Sequence, residues 1–280
     1  MSKPLVICCD HAIPKLAEAG VVPDACFAVD GSGFIWSDLY TGLPLITAIT
    51  ADPSLSYSWG GPVYFYGFTT PVMYDVSKPY LGDIDLLLDN CATVGGTLAT
   101  FALWNFQPLR AHFFGFDYCW REPTKQHTLG LTYSDMERST KDVRVMRGSS
   151  GELVRTYPGF WTDSKLLQKR VKQWEEETGG ETNWFGETIV TVEEEVPQAT
   201  YDENVNLINL ATAVRLSNRW RGAAKANSLF PSKGNLRGLI DELKKDWDSE
   251  LYLVGAGPSL DESIDHLRLM LNPSLLAGGK

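Results

Sequence analysis

The segment Leu251-Tyr-Leu-Val-Gly255-Ala256-Gly257-Pro258-Ser259-Leu260-Asp261-Glu262 joins a short apolar run to a glycine turn and then to a helix start. Glycine lets a backbone turn tightly and approach a ligand closely. Free N–H groups at a helix start suit a phosphate. Gly255, Gly257, Pro258 and Ser259 are therefore candidate residues for a nucleotide phosphate. Ser259 and Glu262 also match a capping box, which would satisfy the same donors without any ligand. Both readings stand at this level. The turn is not the GxGxxG of nicotinamide enzymes, because Leu260 stands where the third glycine belongs.

Two further places carry chemistry-bearing residues. Thr93-Val94-Gly95-Gly96-Thr97 opens a helical stretch, and Gly95, Gly96 and Thr97 could cradle an anion or a ribose. Phe114-Gly115-Phe116-Asp117-Tyr118 ends a strand-like run with an acid. An acid there can hold Mg²⁺, a ribose hydroxyl or a reacting hydroxyl. Asp10 and Asp30 likewise follow apolar runs, and Asp30 joins Asp117 as a possible Mg²⁺ ligand. Of four histidines, His127 lies in a polar stretch after Asp117, where an imidazole would serve as general acid or base. His11 is a possible ligand contact, His112 reads as structural and His266 as surface.

These residues need elements to hold them. Leu5–Cys9, Ala25–Val29, Leu45–Thr50, Val63–Tyr66, Arg110–Phe114 and Leu251–Val254 read as strands. Helical stretches alternate with them: Ile13–Ala19, Thr97–Phe106, Asp163–Thr178 capped at Thr162 or Asp163, Asp202–Ala226, Asn235–Trp247 and a last helix from Asp261. That alternation predicts an α/β fold with a Rossmann-like, doubly wound, mostly parallel sheet. Ligands of such sheets gather at the carboxyl ends of the strands. Residues 118–160 are polar and irregular and read as a lid. The acidic run Glu193–Glu195 reads as a solvated face.

With 280 residues, 44% hydrophobic and 21% charged, the chain can bury an ordinary core, which excludes a disordered protein or a coiled coil. The net charge of −10 and the lack of a basic run argue against a nucleic-acid partner. Five cysteines without a CxxC pair fit a reduced, cytoplasmic protein better than a disulfide framework or a zinc site. The start MSKPLVICCD turns polar too early for a signal peptide. No apolar run approaches the roughly 18 residues of a membrane span.

Taken together, four blocks resemble the MptE-like family. That family includes 6-hydroxymethyl-7,8-dihydropterin pyrophosphokinases of the archaeal type and motility accessory factors. The Gly255–Asp261 segment resembles its glycine-proline-serine signature. Ile7 to Asp30, Gly95 to Asp117, and Lys125-x-His127-x-x-Gly130 resemble the blocks that follow. A more distant resemblance runs to bacterial sialyltransferases. The order here is rotated, with the glycine-proline-serine strand last instead of first, so the resemblance implies a circular permutation. Chain ends would then lie close together, and Leu251–Val254 would be a central strand beside Leu5–Cys9, with Arg110–Phe114 on its other side. It also implies one nucleotide-binding domain from residues 1–120 and 249–280. Residues 121–200 would form a lid with a helix, and 201–248 a helical segment packed on the domain.

The resemblance implies a nucleotide-dependent transferase with a small-molecule acceptor. Its first form is diphosphate transfer from ATP to a reduced pterin, with Mg²⁺. Its second is glycosyl transfer from a CMP-activated nonulosonic sugar, with His127 as base. A third is nucleotide binding without catalysis.

Overall fold

The computed structural model describes residues 3–29, 42–80, 86–88, 91, 93–121, 143–193, 210–231 and 233–272. The first half of the chain gives β1 (Lys3–Cys9), α1 (Ile13–Glu18), β2 (Ala25–Ala28), β3 (Leu45–Ala48), α2 (Pro53–Ser58), β4 (Val63–Phe68), α3 (Pro71–Ser77), β5 (Leu87–Leu88), α4 (Val94–Phe106) and β6 (Arg110–Phe114). The second half gives β7 (Arg144–Arg147), β8 (Leu153–Thr156), α5 (Pro158–Thr178), β9 (Glu181–Phe185), α6 (Leu210–Ser228), β10 (Lys233–Gly234), α7 (Leu236–Leu243), β11 (Trp247–Val254) and α8 (Leu260–Leu271).

Nine strands form one sheet in the order β10-β4-β3-β2-β1-β11-β6-β9, with β5 also on β4. Every pairing in it is parallel. The chain starts at the centre with β1 and steps outward through β2, β3 and β4. Helix α4 then returns it to β6, one strand short of β1. The last strand, β11, fills that gap. Its residues Leu251–Val254 lie level with Leu5–Cys8 on one side and Ala111–Phe114 on the other. This is the central, parallel placement that the rotated block order requires. The chain ends, Met1 and Lys280, lie outside the described residues.

Alternation along the strands divides the core in two. Leu5, Ile7 and Cys9 face one side with Phe27, Phe113, Leu251 and Leu253, under α4, α5 and α7. Val6 and Cys8 face the other with Cys26, Phe114, Tyr252 and Val254, under α1, α6 and α8. Helix α8 contributes Ile264 and Leu267 at helical spacing, as expected, and Leu271 packs at the margin. Asn227 anchors α6 by donating to the carbonyls of Ile49 (2.9 Å) and Ala51 (3.0 Å) at the end of β3.

Several expectations change. Within the stretch read as a lid, residues 158–185 build α5 and the sheet strand β9, and β7 with β8 forms an antiparallel hairpin. Helix α5 starts at Pro158, since proline suits a first helical position, so Thr162 and Asp163 lie inside it and cap nothing. The segment 201–248 is not wholly helical: β10 pairs with β4, and Trp247 already belongs to β11. Helix α7 ends at Leu243, and α6 is described only from Leu210. All five cysteines are buried free thiols. No helix among the described residues is long and apolar enough to cross a membrane.

The central place of β11 has a direct test. Leu253 is fully buried between β1 and β6. Leu253→Ala should cost about 3 kcal/mol in chemical denaturation. Removing residues 249–280 should abolish the cooperative thermal transition. A soluble remainder that still melts cooperatively would show that the strand is an appendage.

Candidate functional site

Three turns meet at the carboxyl edge of the sheet. They follow β11 (Gly255–Ser259), β6 (Gly115–Tyr118) and β9 (Gly186–Thr188). They lock together through backbone. The Gly255 N–H donates to the Phe114 carbonyl at 2.7 Å, and the Gly257 N–H to the Gly115 carbonyl at 2.8 Å. The Ser259 N–H donates to Asp117 Oδ2 at 2.6 Å, and the Ser259 hydroxyl to Asp117 Oδ1.

This contact explains the glycines. A Cβ at Gly255 would stand 2.5 Å from the Gly115 carbonyl oxygen, and one at Gly257 would stand 2.5 Å from Asp117 Cγ. Gly115 has φ +67°, and Gly186 has φ +93° with the Ser259 side chain against it. Both φ values lie in the left-handed region that favours glycine. The close approach is therefore to a neighbouring turn of the same chain. The expectation that Gly255, Gly257, Pro258 and Ser259 offer free donors to a phosphate is corrected accordingly. Proline has no N–H, and the other three donors are engaged. Ala256 alone in the turn keeps an N–H without an acceptor among the described residues. The capping box also fails to form: Ser259 adopts helical angles (φ −69°, ψ −11°) and spends its hydroxyl on Asp117.

Asp117 thus takes the place a ligand anion would have taken. It is 3% exposed. Burial drives its carboxyl up to about pH 7, the Ser259 hydrogen bonds pull the other way, and the charges of Glu262 and Glu187 push it up further. At neutral pH the protonated and ionised forms are comparably populated. A protonated Oδ1 can donate to the Ser259 hydroxyl oxygen while Oδ2 still accepts from the Ser259 N–H. A Mg²⁺ ligand must be ionised and accessible. Asp117 is buried, with both oxygens committed, so it does not fit that role. Asp30 lies outside the described residues, as does His127. No group of three or more His, Cys, Asp or Glu that could hold a metal occurs among the described residues.

On the other side of β11, Asp10 and His11 form a short 3-10 turn, Asp10–Ala12, at the end of β1. Both are buried, and Asp10 Oδ1 accepts the His11 N–H at 3.0 Å. The β1–β11 register leads this turn toward Ala256. Asp10 and Ala256 therefore border one crevice where strand order reverses.

The start of α4 differs from the expected one. Thr93 is the cap, its hydroxyl accepting from the Gly96 N–H at 3.0 Å, and Gly95, Gly96 and Thr97 lie in the first turn. Thr97 donates its hydroxyl to the Thr93 carbonyl at 3.0 Å and accepts from the Cys91 N–H at 3.3 Å. A Cβ at Gly96 would stand 2.8 Å from Asp163 Oδ2 and 3.0 Å from the Tyr118 hydroxyl. Gly95 alone of the three retains a donor without an acceptor among the described residues.

A cluster absent from the sequence reading surrounds this cap. The Thr93 hydroxyl donates to Asp163, and the Tyr118 hydroxyl lies 3.1 Å from it. Tyr118 adopts φ 55°, and burial with the nearby Asp163 charge holds its phenol well above the usual range. Glu187 completes the edge. It binds Arg121 at 2.7 Å and accepts from Ser149 and Ser150, tying the β7–β8 hairpin to the turn after β9. Its carboxyl lies below the usual range because these hydrogen bonds outweigh burial, the largest opposing influence.

Two expectations follow. Gly257→Ala should destabilise by about 3 kcal/mol through overlap with Asp117 and Gly115. The earlier view that a side chain at 257 leaves the fold intact is withdrawn. Asp117 keeps a proton in the folded protein between about pH 4 and pH 7 that the unfolded chain has released. Its contribution is therefore complete below pH 4 and lost as pH rises to about 7. Asp117→Asn, which mimics the protonated form, should remove that loss. Thermal melts from pH 4 to 8 should show the variant gaining on the parent by up to about 4 kcal/mol. A constant difference across that range would contradict the raised value.

No known family matches the chain, and no curated protein does. Among solved structures, MAf glycosyltransferase from Magnetospirillum magneticum AMB-1 aligns over 78% of this chain with a TM-score of 0.45 and 15% identity. The alignment spans 33% of that protein's length.

Proposed function

We propose that the chain is a nucleotide-dependent transferase whose donor nucleotide binds over the carboxyl ends of β1, β11 and β2. The observation that carries this reading is the reversal of strand order at β1, β11 and β6, which opens a crevice at that edge. Open parallel sheets bind ligands at such switch points. The Ala256 and Gly95 N–H groups and the Asp10 side chain are the polar groups proposed to meet the nucleotide.

Glycosyl transfer from a CMP-activated nonulosonic sugar is favoured over diphosphate transfer from ATP. Phosphoryl-type transfer relies on a divalent cation held by ionised carboxylates, and Asp117 is committed to Ser259. In the favoured reaction the acceptor hydroxyl oxygen bonds to the anomeric carbon. The bond from that carbon to the phosphate oxygen breaks, and CMP leaves with the electron pair. His127 takes the acceptor's proton.

Calorimetric titration with CMP, CTP, ATP and GTP, each with and without Mg²⁺, tests the reading. Metal-independent CMP binding is expected. Binding of ATP only with Mg²⁺ would favour diphosphate transfer, and no binding of any nucleotide would overturn the proposal. His127→Ala should lower sugar transfer by about a hundredfold or more while leaving CMP affinity unchanged. Equal turnover would remove His127 from the chemistry.

A further inference from the structure

A groove of about 580 Å³ lies on the face of the sheet covered by α4 and α5, with β5 as its third wall. It begins at Thr100, seven residues below the Thr93 cap and roughly 10 Å down the helix from the carboxyl edge. It is therefore separate from the crevice assigned to the nucleotide. Its volume falls within the usual range for small-molecule sites.

The walls have two characters. Leu88 and Phe101 make a buried apolar floor, and Leu86, Trp104 and Leu166 flank it half-exposed. Helix α5 adds Lys169 and Arg170, which share a stripe with Leu166 and Gln173 at the spacing i, i+3, i+4, i+7. No lining residue is acidic. In a chain of net charge −10 this places positive charge beside open apolar surface, with no carboxylate among the lining. The Asn105 amide already donates to the Phe101 carbonyl at 2.8 Å, and Gln173 to Glu177 at 2.8 Å. Those amides leave the recognition of a charged group to the cations. Lys169 is exposed and has no acidic partner among the described residues.

We propose that this groove binds a small amphiphilic anion, an apolar tail seated on Leu88, Phe101 and Trp104 with its acid group at Lys169 and Arg170. A carboxylate and a phosphate monoester share that chemistry, and the titration separates them.

The test uses the full chain and submicellar decyl phosphate, decanoate and decanol in isothermal titration. Decyl phosphate or decanoate should bind at least about tenfold more tightly than decanol, because only the acids gain a charge-assisted contact. The tighter of the two acids identifies the headgroup. Lys169→Glu should weaken acid binding by about fivefold or more without changing decanol affinity or the thermal midpoint, since Lys169 makes no described contact that the fold needs. Equal affinity for acid and alcohol, or equal affinity in the variant and the parent, would overturn the assignment. So would acid binding that weakens as protein concentration rises, which would mark the groove as a contact between copies. Absence of heat with all three ligands would also overturn it.

Discussion

The structure depends on one gap and the strand that fills it. After β1 the chain builds outward, then returns to β6 one position away, and only the C-terminal strand β11 joins the halves. The Leu251–Val254 backbone pairs on both sides, so its N–H and C=O groups supply the ladders that would otherwise be open edges of β1 and β6. The glycine turn, helix α8 and the crevice at the carboxyl edge all follow from that insertion. Even the acid nearest the turn owes its environment to it, because Asp117 is buried by the chain that leaves β11.

That environment changes what the glycine turn means. A strand, two glycines and a helix start describe equally well a cradle for a ligand anion and a cradle for one of the protein's own carboxylates. Here the second holds for Ser259 and the first survives only at Ala256. A carboxylate in such a place is stabilised by the amide and hydroxyl it binds and destabilised by burial, and burial wins. The pair is thus a structural clasp between two turns with an ionisable latch.

The strands that could be read from the sequence were those buried on both faces. Leu5–Cys9, Ala25–Ala28, Arg110–Phe114 and Leu251–Val254 are continuous apolar runs, as central parallel strands must be. The edge strand β9, Glu-Thr-Asn-Trp-Phe, mixes polar and aromatic residues, and β7 carries two arginines, so neither declared itself. Helices α2, α3 and α5 begin at Asp52-Pro53, Thr70-Pro71 and Tyr157-Pro158, and that proline signal was present but went unread. Among the site residues, the position of Asp117 at a strand end was legible. Its partner was not, because Ser259 lies 142 residues away and only tertiary folding joins them. The Thr93–Asp163 contact spans 70 residues and was hidden for the same reason.

The late position of β11 also bears on biosynthesis. Pairing Lys3 with Trp247 closes a loop of about 240 residues, so the longest-range contact of the sheet belongs to its middle. A ribosome delivers β1 first and β11 near the end. Until then the nascent chain can assemble β1 to β4 and β6 with β9 only as two half-sheets, each presenting an unpaired inner edge of apolar strand. Such edges are templates for pairing with other chains. Translation pauses or nicks before residue 247 would therefore yield aggregation rather than a smaller folded product, and chaperones that shield strand edges would matter more for this chain than for one whose central strand emerges early.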